Sequence, residues 1–335
     1  MPDWMGLSLA DRRELLLMAA GETGRDPALL EKDLWVVWVL GWVGNSPWAM
    51  DLVFKGGTSL SKVHRAIDRF SEDIDLTYDI RRLVDAAKGL PPDPSPQTRA
   101  QAERWSKTAR AALQGWIAEQ FFPAFADTAA MLDATPNHDG EDVLLHYPSV
   151  LEATLGYMRA AVKLEFGGRA TGEPADWADI ACDIAHALPE DIQLPTARVR
   201  TMAATRTFWE KVTAMHVHCQ QTKAPAERFA RHWFDIACLH RSGVSATAAG
   251  DRELAARVVE HKSHFFRPSA AHGAVDLADC IEGRLRIQPA GGRAQELRQD
   301  YEAMLSAGYL GNWRPAWDEV LAAIAEVEAL ANGMR

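Results

Sequence analysis

Residues 51–78 read Asp51-Leu52-Val53-Phe54-Lys55-Gly56-Gly57-Thr58-Ser59-Leu60-Ser61-Lys62-Val63-His64-Arg65-Ala66-Ile67-Asp68-Arg69-Phe70-Ser71-Glu72-Asp73-Ile74-Asp75-Leu76-Thr77-Tyr78. Leu52-Val53-Phe54 is a short apolar run that stops at a Gly-Gly pair, the pattern of a strand entering a tight turn. Thr58 to Ala66 has helical composition. Ile74 and Leu76 alternate with Asp73, Asp75 and Thr77, the period-two pattern of a half-buried strand. The order is strand, Gly-Gly turn, helix, strand.

Two features of this stretch carry chemistry. On a strand, residues i and i+2 point to one face, about 7 Å apart. Asp73 and Asp75 can therefore share a divalent cation, and hard carboxylate oxygens suit Mg²⁺ or Mn²⁺ rather than zinc. A Gly-Gly turn lets backbone N–H groups approach a phosphate, and Ser59 can donate as well. A single DxD or a single Gly-Gly pair is commonplace. A phosphate cradle followed by a same-face acidic pair points to nucleotidyl transfer assisted by metal.

Outward from this block, Asp11–Ala20 reads as helix with a break at Gly21 and Gly24. Asp26-Pro27 reads as a cap and first turn, and residues 28–43 as a helix apolar nearly all round, hence buried. Pro91, Pro92, Pro94 and Pro96 mark an extended loop. Residues 99–130 read as helix interrupted at Pro123, and 133–142 as polar and turn-rich. Ala161–Phe166 is a further strand, ending at Gly167-Gly168. From Thr196 onward the pattern is mainly helical. The expected organisation is a core at 1–195 and a mainly helical C-terminal domain at 196–335 that contributes to the active site.

Composition sets the outer limits. The chain has 335 residues, 47% hydrophobic and 24% charged, with a formal net charge of −10. That is the make-up of a globular protein with a sizeable core, and it excludes a uniformly basic nucleic-acid binder. Cys182, Cys219, Cys238 and Cys280 form no CxxC pair, so neither a zinc ribbon nor a disulfide framework is expected. The N-terminus lacks a basic n-region, and the longest apolar run, 34–44, is well short of the ~20 residues of a membrane span. A cytoplasmic protein without membrane contact is the expectation.

Residues 54–62 together with 69–76 resemble the AbiEii/AbiGii toxin family and the related MenT toxins, within the DNA polymerase β-like nucleotidyltransferases. Glu31-Lys32-Asp33 resembles the family's N-terminal helix. Phe208-Trp209-Glu210-Lys211-Val212 and Arg231-His232-Trp233-Phe234-Asp235-Ile236 are similar to its two C-terminal motifs. The resemblance covers residues 31–239, and its Gly-Gly and DxD block is the specific part. The spacing from Gly57 to Asp73 is long for the wider superfamily. An α+β fold is implied, with a small mixed sheet, flanking helices and a mainly helical C-terminal part. A toxin that transfers a nucleotide from an NTP to RNA, in known members to tRNA 3′ ends, is also implied. Such a toxin blocks translation, acts in toxin–antitoxin or phage-defence systems, and has a cognate antitoxin as partner.

The candidate residues follow. Asp73 and Asp75 are expected to hold metal, and Gly56, Gly57, Thr58 and Ser59 the triphosphate. Lys62 lies on the next helix, where phosphate binding and a solvated face are both open. Ser71 could orient a ligand, accept a phosphoryl group or make a plain hydrogen bond. Glu165 is a third carboxylate or half of an ion pair with Lys163. The resemblance implies that Lys211 neutralises charge on the triphosphate. Asp235, in an apolar helix, needs a partner such as Lys211 or Arg231, or belongs to the active site. The spacings of His216 with His218 and of His261 with His264 give no metal assignment. The basic run 198–232 is the expected RNA-facing surface, and the tryptophans are expected in the core.

Two other functions fit a DxD: a glycosyltransferase using a nucleotide-sugar, and a catalytically silent nucleotide-binding or interaction protein.

Overall fold

The computed structural model describes residues 3–151, 160–221, 228–267 and 275–333. They form two compact units that interleave along the chain. The first comprises Met1–Val63, Glu72–Lys88 and Lys107–Thr201; the second comprises His64–Ser71, Gly89–Ser106 and Met202–Arg335.

Helix α1 (Leu9–Thr23) is capped by Ser8 and runs through Gly21 to a left-handed Gly24. Helix α2 (Pro27–Asn45) starts on Asp26, whose side chain accepts from the Ala28 amide, with proline in the first turn. Strand β1 (Leu52–Lys55) leads into α3 (Gly56–Lys62), and β2 (Asp73–Tyr78) is followed by the short α4 (Ile80–Leu83). The Gly-Gly pair thus lies inside the first turn of α3 rather than before it. The helix stops at Lys62, short of the expected Ala66, and Arg65 adopts a positive φ of 47°.

Helix α5 (Arg99–Trp116) passes through one wide turn at Ile117–Phe121 into α6 (Phe122–Ala130). The interruption therefore precedes Pro123, which follows the wide turn at the start of α6. The polar stretch expected as turns is a β-hairpin, β3 (Thr135–Asp139) and β4 (Asp142–His146), closed at Gly140. Strands β5 (Ala161–Gly167), β6 (Ala175–Ala181) and β7 (Thr196–Met202) follow. The region from Thr196 thus begins with a strand, and two strands beyond those expected complete this edge.

The seven strands make one mixed sheet in the order β3-β4-β5-β2-β1-β7-β6. β1 is antiparallel to β2 and parallel to β7, while β2 is parallel to β5. One face presents Leu52, Phe54, Ile74, Leu76, Val162, Leu164, Val143 and Leu145, all buried in a core with α2 and the aromatic rings of Trp116, Phe121 and Phe125. Burial of this kind is worth about 25 cal/mol per Å² of apolar surface and is what holds the sheet to its helices. The alternate residues of β2 and β5 (Asp73, Asp75, Lys163 and Glu165) are only half-buried and define the opposite face.

The second unit is helical. Its elements are α7 (Ala204–Gln220), α8 (Arg231–Arg241), α9 (Val244–Gly250), α10 (Arg252–Phe265), α11 (Gly292–Ser306) and α12 (Trp317–Asn332). Buried indoles satisfy their N–H groups on backbone carbonyls, Trp209 on Ala248 at 3.1 Å and Trp233 on Ile287 at 2.9 Å. The segment 64–71 is fastened here by Asp68, which accepts from the Trp313 amide at 2.7 Å, and by the Phe70 amide on the Tyr309 carbonyl at 2.8 Å. No helix among the described residues is long and apolar enough to cross a membrane.

Candidate active site

In the first unit the sheet register brings the sequence motifs together. Lys55 is the partner of Asp75 across β1 and β2, Asp75 of Glu165 across β2 and β5, and Glu165 of Asp142 across β5 and β4. Partners across a ladder share a face, so Lys55, Asp75, Glu165 and Asp142 form one lateral row. Asp73, two residues from Asp75, lies on the same face beside Lys163.

Gly56 opens α3 with a φ of +78°. A β carbon placed there would lie 2.0 Å from Asp75 Oδ2. The glycine backbone is therefore packed directly against the second aspartate of the DxD, and any larger residue would fill that space. Thr58 and Ser59 are fully buried. The Thr58 hydroxyl donates to the Asp73 carbonyl at 2.5 Å and the Ser59 hydroxyl to the Gly56 carbonyl at 3.0 Å. Both hydroxyls fasten the Gly-Gly segment and the DxD strand from within.

Lys62 takes up an ion pair with Asp33 and another with Asp183 at 2.6 Å. Burial opposes its charge, and the two carboxylates outweigh that and raise the ammonium above its ordinary range. Glu165 pairs with Lys163 at 2.5 Å, and Lys163 also reaches Asp142 at 2.9 Å. The ion pair weighed for Glu165 is thus present, and Glu165 still stands in the row beside Asp75.

Asp73 and Asp75 offer hard oxygen donors on one face of one strand. No group of three or more His, Cys, Asp or Glu side chains among the described residues could hold a metal ion. Two carboxylates suffice for Mg²⁺, which keeps several waters and takes its remaining ligands from substrate phosphates. Asp75 Oδ2 itself takes up the position of a Gly56 β carbon, and the hard oxygens of the two carboxylates are of the kind that Mg²⁺ or Mn²⁺ takes.

The second unit holds the other candidates. Asp235 is fully buried and accepts two hydrogen bonds from Arg69, at 2.6 Å from Nε and 2.8 Å from Nη2. Lys211 Nζ lies 2.9 Å from its other side. The two C-terminal sequence motifs are thus joined by one ion pair between α7 and α8. Burial favours the neutral acid, and Arg69 and Lys211 override it to hold the Asp235 carboxyl well below its ordinary range. Burial lowers Lys211, against the opposing pull of Asp235. Arg69, rather than Arg231, is the second cation. A buried carboxylate requires such a partner, yet its location far along the chain hides it from sequence reasoning. Ser71 ends the segment that carries Arg69 and belongs to this unit.

Two residues of the basic run 198–232 are turned inward. Arg206 and Lys211 are buried, Arg206 in a bidentate pair with Asp93 at 2.6 and 2.7 Å. Arg198 and Arg200 lie on β7 in the first unit, and Lys223 is outside the described residues. These two helical residues neutralise internal carboxylates, Arg206 that of Asp93 and Lys211 that of Asp235. Of the histidines, His216 bonds Gln220 and the Arg286 amide, and neither ring nitrogen of buried His261 has a hydrogen-bond partner.

The model of the nucleotidyl transferase AbiEii toxin family, from type IV toxin–antitoxin systems, matches residues 40–323. The chain belongs to this family. The match takes in the Gly-Gly and DxD block and both C-terminal motifs, so the chain is a toxin-type nucleotidyltransferase. An NTP substrate and an antitoxin partner go with that membership. Among solved structures, the toxin's fold is similar to that of MenT4, a nucleotidyltransferase toxin from Mycobacterium tuberculosis H37Rv. The TM-score is 0.51 at 17% identity, covering 98% of this chain and 90% of that one. No curated protein matches the sequence.

Proposed function

We propose that this toxin transfers a nucleotide from an NTP to an RNA acceptor, most specifically a tRNA 3′ end, in a reaction dependent on Mg²⁺ or Mn²⁺. The observation that carries the reading is the contact between Gly56 and Asp75 on the half-buried face that also bears Asp73. The glycine backbone packs against the Asp75 carboxylate, and this supports a reading in which backbone N–H groups and the DxD meet one metal-bound triphosphate.

Asp73 and Asp75 would hold the cation, and the bound cation would screen charge on the triphosphate and stabilise the leaving pyrophosphate. The backbone of Gly56 and Gly57 would receive phosphate oxygens, with Thr58 and Ser59 keeping that backbone in place through their internal hydrogen bonds. Lys55 adds a cation that sequence reasoning passed over. It stands beside Asp75, is half-buried and enters no ion pair among the described residues. Its side chain would serve as a point charge on phosphate. Lys62, held by Asp33 and Asp183, would act through structure. In the second unit, Lys211 and Arg69 both pair with buried Asp235 and would tie α7 and α8 together. The translation block and inhibition by the antitoxin follow from the same reading.

The test uses purified protein, total bacterial RNA and Mg²⁺, with each α-labelled NTP supplied separately and Asp73→Ala as control. Label on tRNA-sized RNA with the wild type alone is the expected result. Label on no RNA with any NTP would overturn the acceptor assignment. Release of a nucleoside diphosphate with sugar retained would favour a glycosyltransferase.

A further inference from the structure

Helix α2 is apolar nearly all round, yet Glu31, Lys32 and Asp33 follow one another in its buried part, at 4%, 4% and 2% exposure. Consecutive residues of a helix point in different directions, so the three reach three different segments. Glu31 accepts from the Ser149 hydroxyl at 2.6 Å and the Val150 amide at 2.7 Å. Lys32 pairs with Glu72. Asp33 pairs with Lys62 and accepts from the Asp183 amide at 2.7 Å.

Two of these partners border the signature motifs. Glu72 is the residue before Asp73, and Lys62 is the last residue of α3, the helix that Gly56 begins. Adjacent residues of one rigid helix therefore hold the start of the DxD strand and the far end of the Gly-Gly helix. The Thr58 hydroxyl on the Asp73 carbonyl links the two motifs directly. Stability does not call for such charges. Buried ion pairs are costly to desolvate, and well-packed apolar residues in their place are often neutral or stabilising. What an ion pair supplies and an apolar contact lacks is a fixed direction.

We propose that Lys32–Glu72 and Asp33–Lys62 are positioning pairs that set the Asp73–Asp75 strand against the Gly56-Gly57 backbone. Their loss then weakens nucleotide and cation binding and slows turnover while the fold stands. This rests on the nucleotidyltransferase site proposed above.

The test replaces one pair with apolar residues in the full chain, as Lys32→Met with Glu72→Met. The readouts are the melting temperature, the affinity for a non-hydrolysable NTP with Mn²⁺, and labelled transfer. A melting temperature within about 4 °C of the wild type is expected, with affinity down about tenfold or more and turnover down by about a hundredfold, the scale of an ångström misplacement. The reversed pair, Lys32→Glu with Glu72→Lys, should recover activity relative to Lys32→Met alone. A stable apolar variant with wild-type affinity and turnover overturns the proposal. So does unfolding of the apolar variant while the reversed pair folds without recovering activity, since the pair then serves only stability. Wild-type protein that binds no nucleotide overturns the underlying site, a result read before any variant is compared.

Discussion

Gly56 and Asp75 are in direct contact, so that a β carbon on the glycine would come within 2.0 Å of the aspartate Oδ2. The glycine also carries a φ of +78°. Gly56→Ala must therefore strain the backbone, at about 1–2 kcal/mol for an L-residue in this region, and displace the Asp75 carboxylate. Transfer should fall by about a hundredfold or more, with only a modest drop in melting temperature. Labelled-NTP transfer and thermal denaturation of the same preparation check it.

Asp73 and Lys55 lie on the same sheet face and should give different kinetic signatures. Asp73→Asn removes a charged donor from a half-buried position and should abolish transfer with the fold intact by circular dichroism. Lys55→Met should raise KM for the NTP more than it lowers kcat if the ammonium acts as a point charge on bound phosphate. A Lys55→Met enzyme with wild-type KM would remove this residue from the site.

Local pattern made the site of the first unit legible. The Leu52–Phe54 run and the alternation around Asp73 and Asp75 each depend on a few neighbouring residues and form strands where expected, while the Gly-Gly pair opens α3 instead of preceding it. The hairpin β3–β4 was missed because its strand Thr135–Asp139 is almost wholly exposed and so shows no apolar alternation to read. Strand β6 was missed for the same reason, since Asp176, Trp177 and Asp179 mask its period. The long-range ion pairs were illegible for another reason. Nothing in the spacing of Arg69 and Asp235, or of Lys32 and Glu72, says that the fold will join them. Burial of a charge announces that a partner exists and leaves its address to tertiary structure.

Asp235 provides a stability prediction. It neutralises two buried cations, Arg69 and Lys211, and is itself fully buried. Asp235→Ala removes the carboxylate that both buried cations share and should cost about 3–5 kcal/mol. Asp235→Ala with Arg69→Met and Lys211→Met should recover much of that stability. Urea denaturation of the single and triple variants measures both effects. Equal stability of Asp235→Ala and wild type would show that the cluster contributes little.

His261 gives the pH dependence. Its ring is 3% exposed, and neither nitrogen finds a hydrogen-bond partner. Burial is the main influence and pushes its pKa down to about 4, with Asp93 and Glu210 pulling upward and Arg206 and Lys262 downward. The unfolded chain takes up a proton near the ordinary value of 6.5, and the folded chain does so only near 4. Between these values the unfolded state binds more protons, so this histidine lowers stability as the pH falls from about 6.5 to about 4. The slope approaches ~1.4 kcal/mol per pH unit, and the whole loss is roughly 3 kcal/mol. Below pH 4 the contribution levels off, and above 6.5 it vanishes. His261→Leu should remove this part of the pH profile, narrowing the difference in unfolding free energy between pH 7 and pH 4.5, while half-buried His232 keeps its own share of the same sign. Parallel profiles for wild type and His261→Leu across that window would show that the imidazole is not the group responsible.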